Sequence, residues 1–442
     1  MSDTIAAPAT PPGLGGIGVI RVSGPDTARI AEALIGHLPE PRKAALTPFY
    51  DVDKAKIDSG LALYFKAPAS FTGEDVLELQ GHGGAVVQGL LMERLVGLGA
   101  RLAEPGEFSK RAYLNGKIDL AQAEAIADLI NAGTRQAARS AMRSLDGEFS
   151  DKVNQLEAQL RLLRVYCEAA IDFPDEELDL LAEPSLLADL DRFSEQLARL
   201  QGASKQGALL RDGIMLVLIG APNVGKSSLL NRLTQRESAI VSATAGTTRD
   251  IVREQISIDG IPVTLLDTAG LRVSPDAVEA EGIKRALAAV ERADVVLCVE
   301  DATGGEVSQL PSELILPDGL IRVYNKIDLT DKSAVVRVPD SGTQVFLSAR
   351  TGEGVSALKQ VIRERLGVVG VGGEFSARQR HLESLKAVEQ AITKARGWLA
   401  AGSGELLCEE LRLAHESLGQ ITGQFGVEAL LGSIFSEFCI GK

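Results

Sequence analysis

Apolar and polar positions alternate over short distances up to about residue 118. The period of two predicts β-strands at residues 18–22, 59–65 and 75–79. Gly81-His82-Gly83-Gly84 is interpreted as a turn that leads into an apolar helix. Residues 13–18 match GxGxxG, but no strand is predicted before them, so they are interpreted as a glycine-rich entry segment and not as a dinucleotide-binding loop. Together these features indicate an α+β domain.

A helical period dominates from residue 119 to about 210 and returns from 371 to 442. Leu156, Leu160 and Leu163 illustrate it at i, i+4 and i+7. Phe173-Pro174-Asp175-Glu176-Glu177 interrupts the pattern and predicts a loop or a helix start. Because each half alone offers few helices for a core, we expect both halves to form one discontinuous all-α domain.

Between residues 211 and 370 strands and helix-length segments alternate, which is typical of an α/β domain. The continuous apolar run at 214–220 fits a central buried strand. Asp259-Gly260 predicts a hairpin turn. Further strands are predicted at residues 254–259, 262–267, 294–299, 320–324 and 344–347. The division expected is therefore 1–118 (α+β), 119–210 and 371–442 (the helical halves), and 211–370 (an inserted α/β domain).

Composition narrows the class of protein. The chain has 442 residues, 45% apolar and 24% charged, which excludes disordered, collagen-like and disulfide-scaffold proteins. No apolar run approaches about 18 residues and the first residues do not resemble a signal peptide, so we expect no membrane span and a cytoplasmic location. Four scattered cysteines without CxxC indicate reduced thiols, and four histidines show no zinc spacing. With a net charge of −14, nucleic acid binding needs a local basic patch or a more basic partner.

One motif predicts a nucleotide-binding site. Residues 220–227 read GAPNVGKS, which is GxxxxGKS, placed between the buried strand and a helical stretch as a P-loop requires. Its glycines let backbone N–H groups converge on phosphate oxygens. Lys226 brings a positive charge to the β- and γ-phosphates, and Ser227 offers a hydroxyl to Mg²⁺. The nucleotide-binding residues predicted here are Asn223, Val224, Gly225, Lys226, Ser227 and Ser228.

Three further motifs follow in GTPase order. Asp267-Thr268-Ala269-Gly270 ends a strand, which places Asp267 near the metal and Gly270 N–H near the γ-phosphate. In Asn325-Lys326-Ile327-Asp328 the carboxylate of Asp328 can accept two hydrogen bonds from guanine, which adenine does not offer. Ser348-Ala349-Arg350 fits the loop beside the base. The four motifs in register resemble the translation-factor-related GTPases, and the resemblance implies a Ras-like domain that binds GTP and GDP.

The group that orients the attacking water is not the usual one. Many small GTPases place Gln directly after the DxxG glycine, but Leu271 stands here and cannot orient water. Arg249 and Arg272 are either arginine fingers or ordinary surface residues. The polar loop 242–250 contains Ser242, Thr247 and Thr248, and a Thr there can close over Mg²⁺ and the γ-phosphate.

The whole chain resembles the MnmE (TrmE) family of bacterial tRNA wobble-uridine modification GTPases. The matching segments are GVIRVSG at 18–24, LQGHGG at 79–84, LNGKIDLAQAE at 114–124 and IFSEFCIGK at 434–442. The last segment separates this family from other GTPases that carry GxPNxGKS.

The resemblance implies two binding sites. The N-terminal domain would be folate-binding-like and hold a tetrahydrofolate one-carbon donor between Arg21, Glu78 and Lys117, with Lys442 nearby. In the G domain, Ser227 and Thr248 would hold Mg²⁺. The ligands implied for K⁺ are Asn223, Ser242, Thr244 and Thr247. Ser242 stands where the family often has Thr, but a hydroxyl or backbone oxygen suffices. The ion would supply the positive charge that an arginine finger otherwise brings.

The resemblance also implies further catalytic residues and partners. Glu279 would orient the water, and Cys439 would lie in a functional tail as nucleophile, shuttle or structural residue. The chain would form a homodimer, and with an FAD-containing MnmG-type partner a heterotetramer. That complex would place an aminomethyl or carboxymethylaminomethyl group on C5 of the wobble uridine at tRNA position 34, with the partner making most tRNA contacts.

Two other functions remain open from the sequence. A ribosome-assembly GTPase would share the G-domain motifs, but the chain shows no GxxG-type RNA-binding pattern, no basic tail and one G domain. A regulatory switch or scaffold that uses GTP only to change shape is the other alternative.

Overall fold

The computed structural model describes residues 3–172, 184–234, 253–267, 290–304, 320–339, 342–367, 375–424, 428–436, 438 and 441. The chain divides into two compact units. The first comprises residues 1–127, 145–190 and 387–442, and the second comprises 128–144 and 191–386. The predicted interruption at 173–177 lies outside the described residues.

The N-terminal domain is built on a six-stranded sheet in the order β3-β4-β5-β2-β1-β6. Its strands are β1 (Ile5–Pro8), β2 (Gly15–Ser23), β3 (Ala45–Tyr50), β4 (Lys56–Phe65), β5 (Val76–Gly83) and β6 (Arg101–Leu102). Every pair is antiparallel except β1 with β6. Helices α1 (Thr27–Ile35) and α2 (Ala85–Gly97) contribute buried Leu34, Leu91 and Leu95 to the core against this sheet.

Two expectations for this domain are wrong. A strand, β1, does precede the GxGxxG segment, and Gly15–Gly18 already belong to β2. Gly81–Gly83 continue β5 and do not form a turn. Glycine is typical of turns, but Gly15 and Gly83 lie in paired strands where they permit close approach of the backbones: a Cβ on Gly83 would lie 2.5 Å from the Gly15 carbonyl oxygen.

The α/β domain has a seven-stranded sheet in the order β12-β13-β11-β10-β7-β9-β8. Its strands are β7 (Ile214–Ile219), β8 (Arg253–Ile258), β9 (Ile261–Asp267), β10 (Val295–Asp301), β11 (Leu320–Asn325), β12 (Val335–Arg337) and β13 (Thr343–Phe346). The five inner strands are parallel and the two edge strands pair antiparallel. Strand β7 lies inside the sheet, between β10 and β9: Leu216 and Leu218 pack into one apolar cluster, and Val217 and Ile219 into another.

The remaining elements are helical. They are α3 (Glu107–Leu114), α4 (Leu120–Ile130), α5 (Arg135–Leu145), α6 (Glu148–Asp172), α7 (Pro184–Asp212), α8 (Lys226–Thr234), α9 (Val355–Arg365), α10 (Gln379–Ala400), α11 (Gly404–Thr422), α12 (Glu428–Ser436) and a 3₁₀ turn at Ile327–Leu329. No helix within the described ranges is both long and apolar enough to cross a membrane.

Helices from the two sequence halves pack together. Half-buried His415 of α11 accepts a hydrogen bond from Arg164 on α6 at Nδ1 (2.9 Å) and contacts Glu157 through Nε2 (3.2 Å). Leu160 and Leu411 are fully buried on the same two helices. The predicted fold class is therefore confirmed: an α+β N-terminal domain, a discontinuous helical domain and an inserted P-loop α/β domain.

Candidate active site

The loop between β7 and α8 has the backbone of a phosphate cradle. Gly220 has a φ of +148°, and a Cβ there would lie 2.2 Å from the Val299 carbonyl oxygen. Gly225 has a φ of +97°, and a Cβ there would lie 2.2 Å from Nδ2 of Asn325. Only glycine fits both positions, so the sequence pattern is dictated by packing against the neighbouring strands.

The loop and the first turn of α8 carry several polar groups. Helix α8 begins at Lys226, so the first N–H groups of the helix have no intrahelical acceptor and are available to an anion. Lys226 Nζ donates to the carbonyl oxygens of Gly220 (2.6 Å) and Ala221 (2.9 Å), which holds the ammonium over the loop. The predicted contacts Asn223, Ser227 and Ser228 are exposed.

Asn325 joins the loop to the segment that follows β13. This side chain is 2% exposed; its Nδ2 donates to the Val224 carbonyl (2.8 Å) and its Oδ1 accepts from Ala349 N–H (2.9 Å). Removing the amide would leave a buried carbonyl and a buried N–H without partners. Asn325 therefore fixes the phosphate loop (residues 220–225) and the base loop (residues 348–350) relative to each other.

Asp328 presents a carboxylate at the end of the same strand. Ser348 Oγ donates to its Oδ1 (2.6 Å), and the Arg350 guanidinium lies 3.1 Å from its Oδ2. The Arg350 side chain is exposed, so its guanidinium can move away from the Asp328 carboxylate. Guanine N1–H and its 2-amino group are two adjacent donors that can bind the carboxylate instead, and the site therefore suits guanine.

Lys326 has a left-handed backbone, with a φ of +68°, and its ammonium donates to Asp301 Oδ2 (2.7 Å). That hydrogen bond, with two from Thr303, lowers the pKa of Asp301 to about 2. The pair orients the Lys326 side chain beside the position of the base. Asp301 was not predicted, because only the folded sheet brings the end of β10 next to the end of β11.

Arg232 is a second residue that sequence reasoning missed. It lies near the end of α8, and its Nε donates to the Ala349 carbonyl (3.0 Å) while its NH2 donates to the Arg350 carbonyl. Arg232 and Ala349 are 117 positions apart in the sequence, so no local sequence pattern predicts that they are in contact. Arg232 thus connects the phosphate-binding helix to the base loop.

The rest of the predicted nucleotide site is only partly described. Asp267 ends β9, and its backbone is in register with Leu218 of the neighbouring strand β7. The other predicted residues lie outside the described part of the chain: Ser242, Thr244, Thr247, Thr248, Arg249, Thr268, Ala269, Gly270, Leu271, Arg272, Glu279, Cys439 and Lys442.

A separate polar site lies in the N-terminal domain. Arg21 on β2 is directly opposite Glu78 on β5, and Nε and NH2 donate to Glu78 Oε1 at 3.0 and 2.8 Å. The guanidinium also lies 5.6 Å from the ring centre of Phe71 and 5.7 Å from that of Phe108. Two predicted residues are therefore in direct contact, between aromatic rings.

Lys117 contacts the loop of residues 66–75, which borders this site. Its Nζ donates to the Pro68 carbonyl (3.1 Å), and Phe71 of the same loop lies against Arg21. Gly441 is buried beside β1, where a Cβ would lie 2.2 Å from the Pro8 carbonyl oxygen. Since β1 pairs with β2 next to Arg21, Gly441 lies close to this site.

The fold and the P-loop site define a protein of the P-loop GTPase class. The family model described as "MnmE helical domain" matches residues 120–439, and the one described as "GTP-binding protein TrmE N-terminus" matches residues 4–117. The chain therefore belongs to the MnmE (TrmE) family of GTPases.

Curated relatives match the chain over its whole length. "tRNA modification GTPase MnmE" of Methylococcus capsulatus is 53% identical over 442 residues, covering 100% of this chain and 99% of its own. The protein of the same name from Chromohalobacter salexigens is 52% identical and covers 100% and 98%. Among solved structures, the G domain of the T. maritima FeoB iron transporter covers 34% of this chain and 98% of its own, at 24% identity and a TM-score of 0.26.

Proposed function

We propose that this protein is a tRNA modification GTPase that binds and hydrolyses GTP at the loop 220–227. The observation that carries the proposal is the Asn325 amide, which couples the phosphate loop to the guanine-specific loop around Asp328 and Ala349. The names of its full-length relatives supply the tRNA substrate class.

The exposed groups of the loop fit two cations. The Ser227 hydroxyl, at the first turn of α8, suits Mg²⁺, which prefers hard oxygen ligands. Asn223 is exposed and left-handed, with a φ of +66°, which turns it out of the loop where its amide oxygen could bind K⁺. Ser242, Thr244, Thr247 and Thr248 would complete the two sites. The cations would add positive charge beside the triphosphate.

Hydrolysis also needs a group that orients water. The family resemblance assigns this role to Glu279, whose carboxylate can accept the water proton, and the assignment agrees with the absence of a polar atom in the Leu271 side chain. Lys226 would stabilise charge that develops on the β- and γ-phosphate oxygens. Its hydrogen bonds to Gly220 and Ala221 hold the ammonium ready before the nucleotide binds.

The second site fits a tetrahydrofolate one-carbon derivative, which would supply the carbon unit. Arg21 and Glu78 together offer donors and acceptors for a pterin edge, and Phe71 and Phe108 flank the guanidinium with flat apolar surface. Lys117 is exposed and suits a carboxylate. The position of Gly441 supports Lys442 and Cys439 as part of the same site.

We place the reaction in a larger assembly in the cytoplasm. A homodimer of this chain would act with an FAD-containing MnmG-type partner on C5 of the wobble uridine. The acidic balance of the chain, −14, supports a partner that carries much of the RNA contact.

The first test is phosphate release from GTP by the full chain in KCl and in NaCl at equal ionic strength. Turnover should be faster in K⁺, and Asn223→Ala should remove the difference while GDP affinity stays nearly unchanged. Equal rates in the two salts would contradict the K⁺ site.

Mass spectrometry of wobble nucleosides from cells with and without the gene tests the tRNA reaction separately, and unchanged nucleosides would refute it.

A further inference from the structure

Two buried hydroxyl groups hold the loop of residues 66–75 against strand β2. Ser23 lies two positions after Arg21 on β2, so both side chains are on the same face of the sheet, about 7 Å apart along the strand. Ser23 Oγ donates to Glu74 Oε2 (2.8 Å) and lies 2.7 Å from Thr72 Oγ1. Ser23 and Thr72 are both fully buried. The loop is therefore tied to the strand that carries Arg21.

The Glu74 carboxylate fixes the direction of these hydrogen bonds. A carboxylate oxygen accepts, so the Ser23 hydroxyl donates its only hydrogen to Glu74. Thr72 must then donate to Ser23, and Thr72 Oγ1 itself accepts from the Glu74 N–H (3.3 Å). Each hydroxyl thus donates one hydrogen bond and accepts another. We call these three residues the Thr72–Ser23–Glu74 chain.

Buried charge anchors the far end of this chain. The Arg111 side chain is 2% exposed, and its NH1 donates to Glu74 Oε2 (3.1 Å). Its NH2 donates to Glu107 Oε1 (3.0 Å) on the same helix, α3. Asn115, which directly follows α3, donates from Nδ2 to the Thr72 carbonyl (2.7 Å). The loop is therefore held at both Thr72 and Glu74, and moving Glu74 away would separate a buried guanidinium from its partner.

The anchored loop forms one wall of the second site. Phe71 directly precedes Thr72, and the centre of its ring lies 5.6 Å from the Arg21 guanidinium. Phe71 is 36% exposed, whereas Thr72 is fully buried, so the position of the ring follows from the anchoring of Thr72. The aromatic wall therefore depends on hydroxyl groups that are buried behind it.

We propose that Ser23 and Thr72 are positioning residues of the second site, which hold the Phe71 ring in place before the ligand enters. The inference rests on the proposed function, which supplies a tetrahydrofolate one-carbon derivative as the ligand. A flat pterin ring binds better to an aromatic wall that is already in place, because ordering a free loop on binding costs affinity. Loss of either hydroxyl should therefore weaken folate binding through Phe71.

The test is calorimetric titration of the full chain with 5-formyltetrahydrofolate, a stable reduced folate that carries a one-carbon group. Ser23→Ala should raise the Kd about tenfold, the factor that corresponds to one lost hydrogen bond of about 1.4 kcal/mol. Thr72→Val removes the other hydroxyl at nearly constant volume and should have a similar effect. Thr72→Ser keeps the hydroxyl and should retain most of the affinity.

A double-mutant cycle tests whether the hydroxyl groups act through Phe71. In a Phe71→Ala chain the ring is absent, so adding Ser23→Ala should change the Kd by less than about twofold. A general loss of structure would instead weaken binding in both backgrounds. Equal effects of Ser23→Ala with and without the Phe71 ring would contradict the positioning role.

Ser109→Ala is the matched control. Ser109 is fully buried on α3, and its hydroxyl has no hydrogen-bond partner among the residues that the structure describes. The same atom is removed in the same domain, so folate affinity should be unchanged. Hydrogen–deuterium exchange of the peptide 66–75 should become faster in Ser23→Ala and stay the same in Ser109→Ala.

The two measurements separate this proposal from the proposed function. Unchanged folate affinity in both Ser23→Ala and Thr72→Val would overturn the positioning role, even with faster exchange of the loop, because the hydroxyl groups would then serve stability alone. Failure of the unchanged chain to bind the folate would instead refute the proposed ligand. Exchange would then decide the anchoring by itself, and an unchanged rate in Ser23→Ala would refute that as well.

Discussion

At the scale of single residues, base selectivity depends on one carboxylate. Asp328 is held by Ser348 and contacted by Arg350, so its oxygens are fixed before guanine enters. Preorganisation of this kind lowers the ordering cost of binding. The exposed Arg350 guanidinium contacts the Asp328 carboxylate, and a base with two adjacent N–H donors can displace it.

Asp328→Asn should exchange guanine selectivity for xanthine selectivity. The amide replaces one acceptor with a donor, so GTP binding should weaken by about 3 kcal/mol, or roughly a hundredfold. Xanthine carries a carbonyl where guanine has its 2-amino group, so xanthosine triphosphate should bind better than GTP. Titration calorimetry with both nucleotides measures this, with the exposed Asp331→Asn as control. Retained preference for GTP would contradict the role of Asp328.

Arg232 offers a test of the support beneath the base loop. Arg232→Gln removes at least one hydrogen bond to the carbonyls of Ala349 and Arg350, so the loop should open more often. A loss of about 1 to 1.5 kcal/mol corresponds to roughly tenfold faster release of a fluorescent GDP analogue. The control is Arg365→Gln, an exposed arginine on α9. If both variants release GDP at the unchanged rate, Arg232 is not a positioning residue.

At the scale of elements, the hairpin of β8 and β9 joins two functional segments. Strand β8 follows residues 235–252, and β9 ends at Asp267, where the DTAG motif begins. The hairpin turn is held by Thr134, whose Oγ1 donates to the Gly260 carbonyl (2.9 Å) and accepts from Ala137 N–H (3.1 Å). One hydroxyl therefore caps α5 and anchors the hairpin.

Thr134→Val should cost about 1 to 3 kcal/mol, since it removes an N-cap and a buried hydrogen bond without a large change of volume. Amide hydrogen exchange should become faster at Ala137 and along the hairpin. Thr134→Ser keeps the hydroxyl and should preserve most of the protection. Equal protection in the valine variant and the unchanged chain would show that the contact contributes nothing to stability.

Most elements were predictable where periodicity is strong. The predicted strands 214–220, 320–324 and 344–347 correspond to β7, β11 and β13, because buried parallel strands read as apolar runs. Four strands were not predicted. β1 is small and ends in Pro8, β3 contains Pro48, β6 has two residues, and β12 is short and exposed. Tertiary pairing, not local pattern, makes these strands.

The candidate site divides in a similar way. The phosphate and base motifs are contiguous in sequence, so their residues could be named in advance. Asp301 and Arg232 could not, because their contacts depend on which strands are neighbours in the sheet. The pairing of Arg21 with Glu78 required the register of β2 and β5.

At the scale of the whole molecule, the two ends of the inserted domain lie close together. Gly207 on α7 packs so tightly against Phe375 that a Cβ would lie 2.2 Å from the Phe375 carbonyl oxygen. The five residues from 207 to 212 advance about 7.5 Å along the helix. A flexible linker of about six residues, which spans up to roughly 20 Å, therefore reaches from Asp212 to Phe375.

Replacing residues 213–374 by such a Gly/Ser linker should leave a folded, cooperatively unfolding helical protein. The excised chain keeps the Asp128, Arg211 and Arg378 cluster and the α6–α11 contacts around His415. Far-UV circular dichroism should show higher helix content, and thermal unfolding should stay sharp. Asp128→Ala in the same chain should destabilise it by about 3 kcal/mol, because two guanidinium groups lose their shared carboxylate. Broad, non-cooperative unfolding of the excised chain would show that the helical halves depend on the inserted domain for their fold.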